Sequence, residues 1–469
     1  MMTQTALSSK LEAKLKARFQ FKFPKKYKLS FGYLILLIVP FCIAQMLDMD
    51  TKTVYAQVLT IINLLAIMAF FIQFPLGSRL KQFPIFTHID WSVERHKKVG
   101  KWLGIVFLFH PILILAPRFL FSYNDGVKSL IEVITAPPML TGLIAWGVLI
   151  AWVCFSVYKN KLPIRYETWR LAHLIGFVAI TILATLHITT IGSHGQFQSN
   201  FNILWWVLCS FSLAMVVYNY LVKPTRLKRQ PFTLNSITKI SSHDWQVTIE
   251  QKSGANFYFE PGQFVWLNTS KSLHGVSEHP FSIASGKQDL PRLSFIIREL
   301  GDYTSSLGNL IEGQAVYIDG PYGSMSLNDS NQSTGIMLIA GGAGLGPILS
   351  LLRGLAAQND TRPIRLLYGN NLLSQMALVD QIKGYETQLS HFKLQLICQE
   401  ETIDPNQVNQ PIYQGIIDKQ IIEKNVDLCA INNWSVYLCG PKPMINSVNK
   451  SLKELGVKQS HIHYEQLSF

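Results

Sequence analysis

The chain has 469 residues, which is enough for two or three domains. It carries 42 lysines and arginines against 29 aspartates and glutamates, and this net charge of +13 concentrates beside apolar segments, which indicates a membrane surface and argues against a nucleic-acid partner. Its six cysteines show no paired spacing, which argues against disulfides and a zinc site.

The N-terminal half consists of a basic tail, residues 1–29, followed by apolar segments of membrane-spanning length. No small-residue cleavage site follows the first segment, so we interpret it as a retained anchor. Basic residues precede the first, third and fifth segments and follow the sixth, so the positive-inside rule predicts cytoplasmic termini and outward-running third and fifth segments. These features predict an α-helical transmembrane bundle of six helices over residues 30–222, with spans at 30–48, 55–76, 100–117, 139–157, 170–190 and 201–222.

Two pairs of histidines with the same spacing occur in this half, His96 with His110 and His173 with His187. On an α-helix, 14 residues rise roughly 21 Å and return to within about 40° of the same face. Histidine is costly at membrane depth, so a matched double pair indicates function. We predict two stacked b-type haems, with His96 facing His173 across one and His110 facing His187 across the other.

The chain from residue 223 to residue 330 changes to short β-rich runs separated by turn residues, which predicts a small antiparallel β-barrel. Within the run 279–285, HPFSIAS, an aromatic residue precedes a hydroxyl residue. Phe281 is suited to cover a flavin ring, and Ser282 to hydrogen-bond the ring nitrogen that receives hydride. This pattern predicts an FAD-binding domain.

A glycine turn follows that run and precedes a helix-like stretch at residues 305–311. Arg298, Gly301 and Thr304 lie at this turn, where the free amides of a helix N-terminus and a nearby arginine suit a pyrophosphate. The sequence GPYG at residues 320–323 is predicted to be the bend that leaves the domain.

Residues 331–469 alternate strands and helices, which predicts an α/β domain with a parallel sheet. A buried strand at 336–340 leads into GGAGLGP and then an apolar helix, the context that a phosphate-binding glycine loop requires. A late strand at 434–440 is expected to bring Cys439, Gly440 and Pro441 to the same sheet edge, where they border the nicotinamide.

In this order, the histidine pairs, HPFSIAS, GPYG, GGAGLGP, LCGPKPM and a terminal aromatic residue resemble the flavocytochrome b superfamily of NADPH oxidases and transmembrane ferric reductases. The resemblance implies a ferredoxin-reductase-like module after the membrane bundle. It implies FAD contacts from His279, Pro280, Phe281, Ser282, Arg298 and Thr304, and nicotinamide nucleotide contacts from Gly342, Gly344, Gly346, Cys439, Gly440 and Pro441. Phe469 resembles the terminal aromatic residue that shields the flavin.

The activity implied by this resemblance is electron transfer from cytoplasmic NADPH or NADH, through FAD and two haems, to ferric iron or O2 outside the plasma (inner) membrane. Superoxide-producing members often carry a histidine one turn beyond the outer ligand, where this chain has Ile114, and this difference favours ferric reduction. The nucleotide stays open, because residues 370–374 offer only Ser374 and, further on, Lys383 for a 2′-phosphate.

Two other interpretations stay open. The chain could donate electrons to a dedicated extracytoplasmic protein, which predicts haem reduction with little activity towards oxygen or ferric chelates. It could instead be a metal transporter with histidine ligands and a nucleotide-sensing domain, which predicts no haem and no redox turnover.

Overall fold

The structure is a computed structural model, and it describes residues 25–49, 51, 53–78, 89–192, 198–229, 231–252, 257–270, 277–400, 412–426 and 430–464. Phe469 lies outside the described residues, so its flavin-shielding role stays a prediction.

The N-terminal half is a bundle of helices, and six helices within its described residues are long and apolar enough to cross a membrane. The helices are α1 (Lys25–Met46), α2 (Val54–Gly77), α3 (Ile89–Phe121), α4 (Tyr123–Thr135), α5 (Leu140–Val157), α6 (Tyr166–Ile191) and α7 (Ser199–Val217). All but α4 are spanning helices. The chain is therefore an integral membrane protein.

The third spanning helix begins well before residue 100, the predicted start of that span. Charged residues occupy its first turns, and Lys98 donates to Glu94 at 2.6 Å with the i,i+4 spacing that supports a helix in water. As a result, His96 and His110 lie on one continuous helix. The short amphipathic helix α4 was not predicted; Ser122 caps it, and its exposed Ile131 and Ile134 suit a membrane interface.

Aromatic side chains form the centre of the bundle. Phe74 of α2 stacks on Phe177 of α6 with ring centroids 4.0 Å apart, and Phe70 meets Phe177 edge-on at 4.9 Å. Trp205 of α7 is completely buried beside Phe71. These contacts fix α6 against its neighbours and thereby fix the height of its two histidines.

The last spanning helix continues into the soluble half without a loop. A π-helical turn at Tyr218–Val222 follows α7, and α8 (Lys223–Leu227) extends the same run. The backbone therefore leaves the bundle as a helix.

An antiparallel sheet of six strands follows, in the order β4-β3-β6-β1-β2-β5. Its strands are β1 (Phe232–Lys239), β2 (Asp244–Gln251), β3 (Phe264–Asn268), β4 (His279–Ser282), β5 (Arg292–Arg298) and β6 (Ala315–Tyr322). The predicted helix at 305–311 is wrong: α9 covers only Asp302–Ser305, and a 3₁₀ turn follows at Leu307–Asn309. The Ser306 hydroxyl donates to the carbonyl of Tyr303 at 2.8 Å and so competes with helix continuation.

The C-terminal domain is a parallel sheet of six strands in the order β10-β9-β8-β7-β11-β12, with helices on its faces. Its elements are β7 (Gly335–Gly341), α10 (Leu345–Ala357), β8 (Ile364–Asn370), α11 (Val379–Lys383), α12 (Tyr385–Gln388), β9 (Phe392–Cys398), β10 (Ile412–Gln414), α13 (Lys419–Asn425), β11 (Trp434–Cys439), α14 (Lys442–Glu454) and β12 (Ile462–Tyr464). The strand order reverses between β7 and β11, which is where this architecture binds ligands. The predicted fold class, a six-helix bundle with a ferredoxin-reductase-like module, is confirmed.

Candidate functional site

His96 of α3 and His173 of α6 face each other inside the bundle, with ring centroids 6.4 Å apart and ring planes at 78°. A metal ion about 2 Å from one nitrogen of each ring, on opposite sides, places the ring centres roughly 6 Å apart. The observed separation therefore leaves room for one metal ion between the two rings. Among the described residues, no three His, Cys, Asp or Glu side chains cluster as a metal site.

Three neighbours fix the orientation of His173. Its Nδ1 lies 3.1 Å from the Ser156 hydroxyl, and its backbone carbonyl accepts a hydrogen bond from the Trp152 indole at 3.1 Å. The imidazole stacks on Trp152 and Trp169, with centroids 4.7 and 5.1 Å away. In a histidine that binds a metal, a hydrogen-bond partner on one ring nitrogen leaves the other nitrogen directed at the metal.

The other two histidines of the spaced pairs, His110 and His187, each contact a neighbouring helix. His110 Nδ1 lies 3.2 Å from Asn63 Oδ1. The His187 ring lies directly over Gly142, where an added Cβ would be 2.5 Å from its Cε1 atom. The Nδ1 atoms of His96 and His187 are buried without a hydrogen-bond partner among the described residues. An unsatisfied buried polar atom costs about 1–3 kcal/mol, so these rings fit a group supplied from outside the polypeptide.

The membrane bundle meets the antiparallel sheet through buried ionic contacts. Arg170, near the start of α6, donates to Glu278 at 2.9 Å. Lys223 of α8 lies 2.6 Å from Asp319 of β6, and both side chains are about one-tenth exposed. Tyr322 donates to the same carboxylate at 2.7 Å. We call this set of contacts the domain junction; it was not predicted from the sequence.

Aromatic rings cross the domain junction in sequence. Beyond Trp169, Tyr166 stacks at 5.9 Å, and Tyr166 lies 6.4 Å from the His279 ring. His279 Nε2 is 3.4 Å from Glu167, and its ring stacks on Tyr303 at 4.0 Å. Burial lowers the pKa of His279 although Glu167 opposes the shift, and burial raises the pKa of Tyr303 to about 12. These rings connect β4 with the His96–His173 pair.

The predicted flavin residues His279, Pro280, Phe281 and Ser282 make up β4, which pairs with β3. Phe281 stacks on Tyr303 at 6.1 Å. Ser282 lies at the boundary with the parallel-sheet domain, because a Cβ on Gly346 would be 3.7 Å from its carbonyl oxygen. The structure thus brings Ser282 and the glycine loop together.

The predicted pyrophosphate residues take two positions. The Arg298 guanidinium forms a two-point ion pair with buried Asp244, at 2.9 and 3.0 Å, and it also lies against Gly342 of the glycine loop, where a Cβ would be 2.6 Å from Nη1. The Thr304 hydroxyl accepts a hydrogen bond from the backbone amide of Gly301 at 3.0 Å. The sequence predicts that this amide is free to bind a pyrophosphate, and the structure shows that it is not. α9 has four residues and is too short to act as the predicted helix terminus.

The glycine loop after β7 and the segment that follows β11 are in close contact where the strand order of the parallel sheet reverses. A Cβ on Gly344 would overlap the carbonyl oxygen of Cys439, and a Cβ on Gly341 would lie 2.5 Å from Met444. Gly440 follows β11, and Pro441 caps α14. Close backbone approach is what a dinucleotide-binding loop requires.

Helix α10 of the parallel-sheet domain forms hydrogen bonds to the antiparallel-sheet domain. Arg353 donates to the carbonyl of Ala284 at 3.0 Å and to the hydroxyl of Ser294 at 3.2 Å. Ser350 donates to the carbonyl of Ser285 at 2.8 Å. These contacts hold the glycine loop against β4.

The fold and site define an integral membrane oxidoreductase with FAD- and NAD-binding domains. Three family models match the chain in order: ferric reductase like transmembrane component at residues 56–185, FAD-binding domain at 232–326 and oxidoreductase NAD-binding domain at 338–450. This is the architecture of ferric reductase and NADPH oxidase-like proteins.

Curated relatives match the soluble half. The reductase component of propane 2-monooxygenase from Mycolicibacterium smegmatis is 29% identical over 219 residues, covering 45% of this chain and 60% of the relative. Flavohemoprotein B from Dictyostelium discoideum is 31% identical over 219 residues, covering 44% and 48%. The match spans less than two thirds of either relative.

Two solved structures are among those that align with the chain. An Amycolatopsis cytochrome P450 reductase aligns with a TM-score of 0.45 and 22% identity, covering 50% of this chain and 69% of that chain. A flavohemoglobin from Malassezia yamatoensis aligns with a TM-score of 0.46 and 16% identity, covering 89% and 99%.

Proposed function

We propose that this protein carries electrons from cytoplasmic NAD(P)H, through FAD and two bis-histidine haems, to an acceptor outside the cytoplasm. The observation that carries the proposal is the His96–His173 pair, whose ring centroids lie 6.4 Å apart within the bundle. The aromatic rings at the domain junction lead from this pair to β4, where the flavin-binding motif lies.

When bound, FAD would supply exchange of hydride and of single electrons, and haem held by the histidine pairs would supply one-electron transfer. The protein residues position them. Phe281 and Ser282 hold the flavin ring, while the glycine loop and the segment from Cys439 to Pro441 hold the nicotinamide nucleotide. The stacked rings of Trp152 and Trp169 exclude water around His173.

Ferric iron is the acceptor that the outer side supports best. The position one helical turn beyond His110 is Ile114, an apolar residue on α3. Isoleucine has no donor with which to stabilise a superoxide anion or to supply a proton to it. Reduction of a ferric chelate by electron transfer alone makes no such demand.

The direction of transfer follows from the charges. Lys159, Lys161 and Arg165 lie in the loop that enters α6, at the same end as the domain junction. By the positive-inside rule this end is cytoplasmic. Each electron that moves outward across the membrane then changes the free energy by about 2.3 kcal/mol per 100 mV of potential.

The test is an anaerobic visible spectrum of the detergent-purified protein before and after NADH or NADPH, followed by a ferric chelate or oxygen. We expect flavin bleaching, reduced low-spin haem bands and rapid reoxidation by the chelate. His110→Leu should remove one haem and leave flavin reduction intact. Absence of haem from folded, flavin-loaded protein would contradict the proposal and support the transporter interpretation. Haem reduction without reoxidation by either acceptor would support a protein acceptor instead.

A further inference from the structure

We infer that the nucleotide-binding domain selects NADH against NADPH, and that Asn371 and Glu400 set this preference. The inference deepens the proposed function and rests on it for the reaction in which the nucleotide takes part. In dinucleotide-binding sheets, the loop after the strand that follows the glycine-loop strand faces the ribose 2′ position. In this chain that strand is β8, which ends at Asn370.

The neighbouring strand brings an acidic residue to this loop. β9 runs parallel to β8, and Cys398 is in register with Asn370. The backbone amides of Gln399 and Glu400 then donate to the carbonyl oxygens of Asn370 and Asn371, at 3.2 and 3.0 Å. The exposed Glu400 is thereby fixed beside the loop at the ribose end of the sheet.

The loop has a defined shape of its own. The Asn370 side chain donates to the carbonyl of Gln375 at 2.6 Å and closes the segment between them. The Cys398 thiol donates to the carbonyl of Asn371 at 3.2 Å. The carbonyl oxygen of Asn371, the first residue beyond β8, therefore accepts two hydrogen bonds from the end of β9, one from the Cys398 thiol and one from the Glu400 amide.

Neither residues 366–382 nor residues 394–418 contain a lysine or arginine. Lys383, the first basic residue after β8, lies 12 positions beyond Asn371, at the end of α11. Arg365 and Lys393 are the second residues of β8 and β9 and so lie at the opposite end of these strands. Lys419, the first basic residue after this stretch, lies 4.0 Å from Glu423 on its own helix.

A 2′-phosphate would meet a carboxylate at this position in place of a cation. A 2′-phosphate is held best by a lysine or arginine beside it, whereas Glu400 adds like-charge repulsion at this position. The 2′-hydroxyl of NADH can instead donate to a carboxylate or an amide oxygen. We expect kcat/KM for NADH to exceed that for NADPH by about 10- to 100-fold.

The experiment is anaerobic stopped-flow bleaching of the flavin in the full-length protein, with NADH and with NADPH. The variants are Glu400→Gln and the double variant Asn371→Arg/Glu400→Gln, and the matched control is Glu454→Gln, an exposed carboxylate at the far end of α14. We expect Glu400→Gln to raise kcat/KM for NADPH, the double variant to reverse the preference, and the control to match the wild type.

Equal rates with both nucleotides, faster bleaching by NADPH, or an unchanged preference in both variants would overturn the inference. Bleaching by neither nucleotide would overturn it as well. Flavin bleaching does not require the haems, so failure of haem reduction in the same samples would refute the proposed transmembrane transfer and leave the measured nucleotide preference standing.

Discussion

Replacement of Gly142 by alanine provides a direct test of the proposed outer haem site. The added Cβ would lie 2.5 Å from Cε1, 2.6 Å from Nδ1 and 3.0 Å from Nε2 of His187. Carbon atoms pack at about 3.5–4.0 Å, so the methyl group overlaps the ring by about 1 Å. Because three ring atoms are close, rotation of the imidazole in place does not relieve the overlap, and the ring must move away.

Overpacking of this kind costs about 1–3 kcal/mol, which corresponds to about 5- to 150-fold weaker binding of the outer haem. The assay is the ratio of haem to FAD in purified protein, from the pyridine haemochrome spectrum and flavin fluorescence. We expect the ratio to fall below two haems per flavin, towards one, while NAD(P)H still bleaches the flavin.

Gly147 provides a matched control on the same helix, because a Cβ at that position meets no atom within 4 Å. Gly147→Ala makes the same gain in helix propensity without touching a histidine. Retention of both haems by Gly142→Ala, or an equal loss in Gly147→Ala, would refute the assignment of His187 as a haem ligand.

Three further predictions concern single side chains. Ser156→Ala removes the hydrogen-bond partner of His173 Nδ1. It should therefore weaken binding of the proposed inner haem about 10- to 100-fold, measured by transfer of that haem to apomyoglobin, and Ser156→Thr should restore the binding. Lys223→Met leaves the Asp319 carboxylate buried and should lower the Tm and slow haem reduction while flavin bleaching continues; rescue by Lys223→Arg is expected, and an unchanged Tm would contradict it. Burial lowers the pKa of His279, so acidification from about pH 7.5 to about pH 5.5 protonates the unfolded state first and destabilises the fold. The loss of Tm over that range should be smaller in His279→Asn, and an equal loss would refute this role for burial.

The histidine pairs could be predicted because helical periodicity alone relates residues 14 positions apart on one helix. The contact of His96 with His173 needed one further assumption, that the two helices run parallel. Basic loops supplied that assumption from the sequence.

The domain junction could not be predicted in the same way. Lys223 and Asp319 lie on separate domains, and their contact depends on how α8 docks against β6. The position of Glu400 beside the loop after β8 could not be predicted either, because periodicity reveals strands but not the order in which they pair. The short helix α9 was predicted too long because Ser306 bonds its own backbone, a local competition that apolar patterning does not register.

The unbroken run from α7 through the π turn into α8 has a kinetic consequence. Many flavin reductases are separate molecules that must diffuse to the protein they serve. In this chain the helical run and the Lys223–Asp319 ion pair join the membrane bundle to the antiparallel-sheet domain. The proposed electron transfer between these two parts would then be intramolecular, with a rate that is first order and unaffected by dilution of the protein.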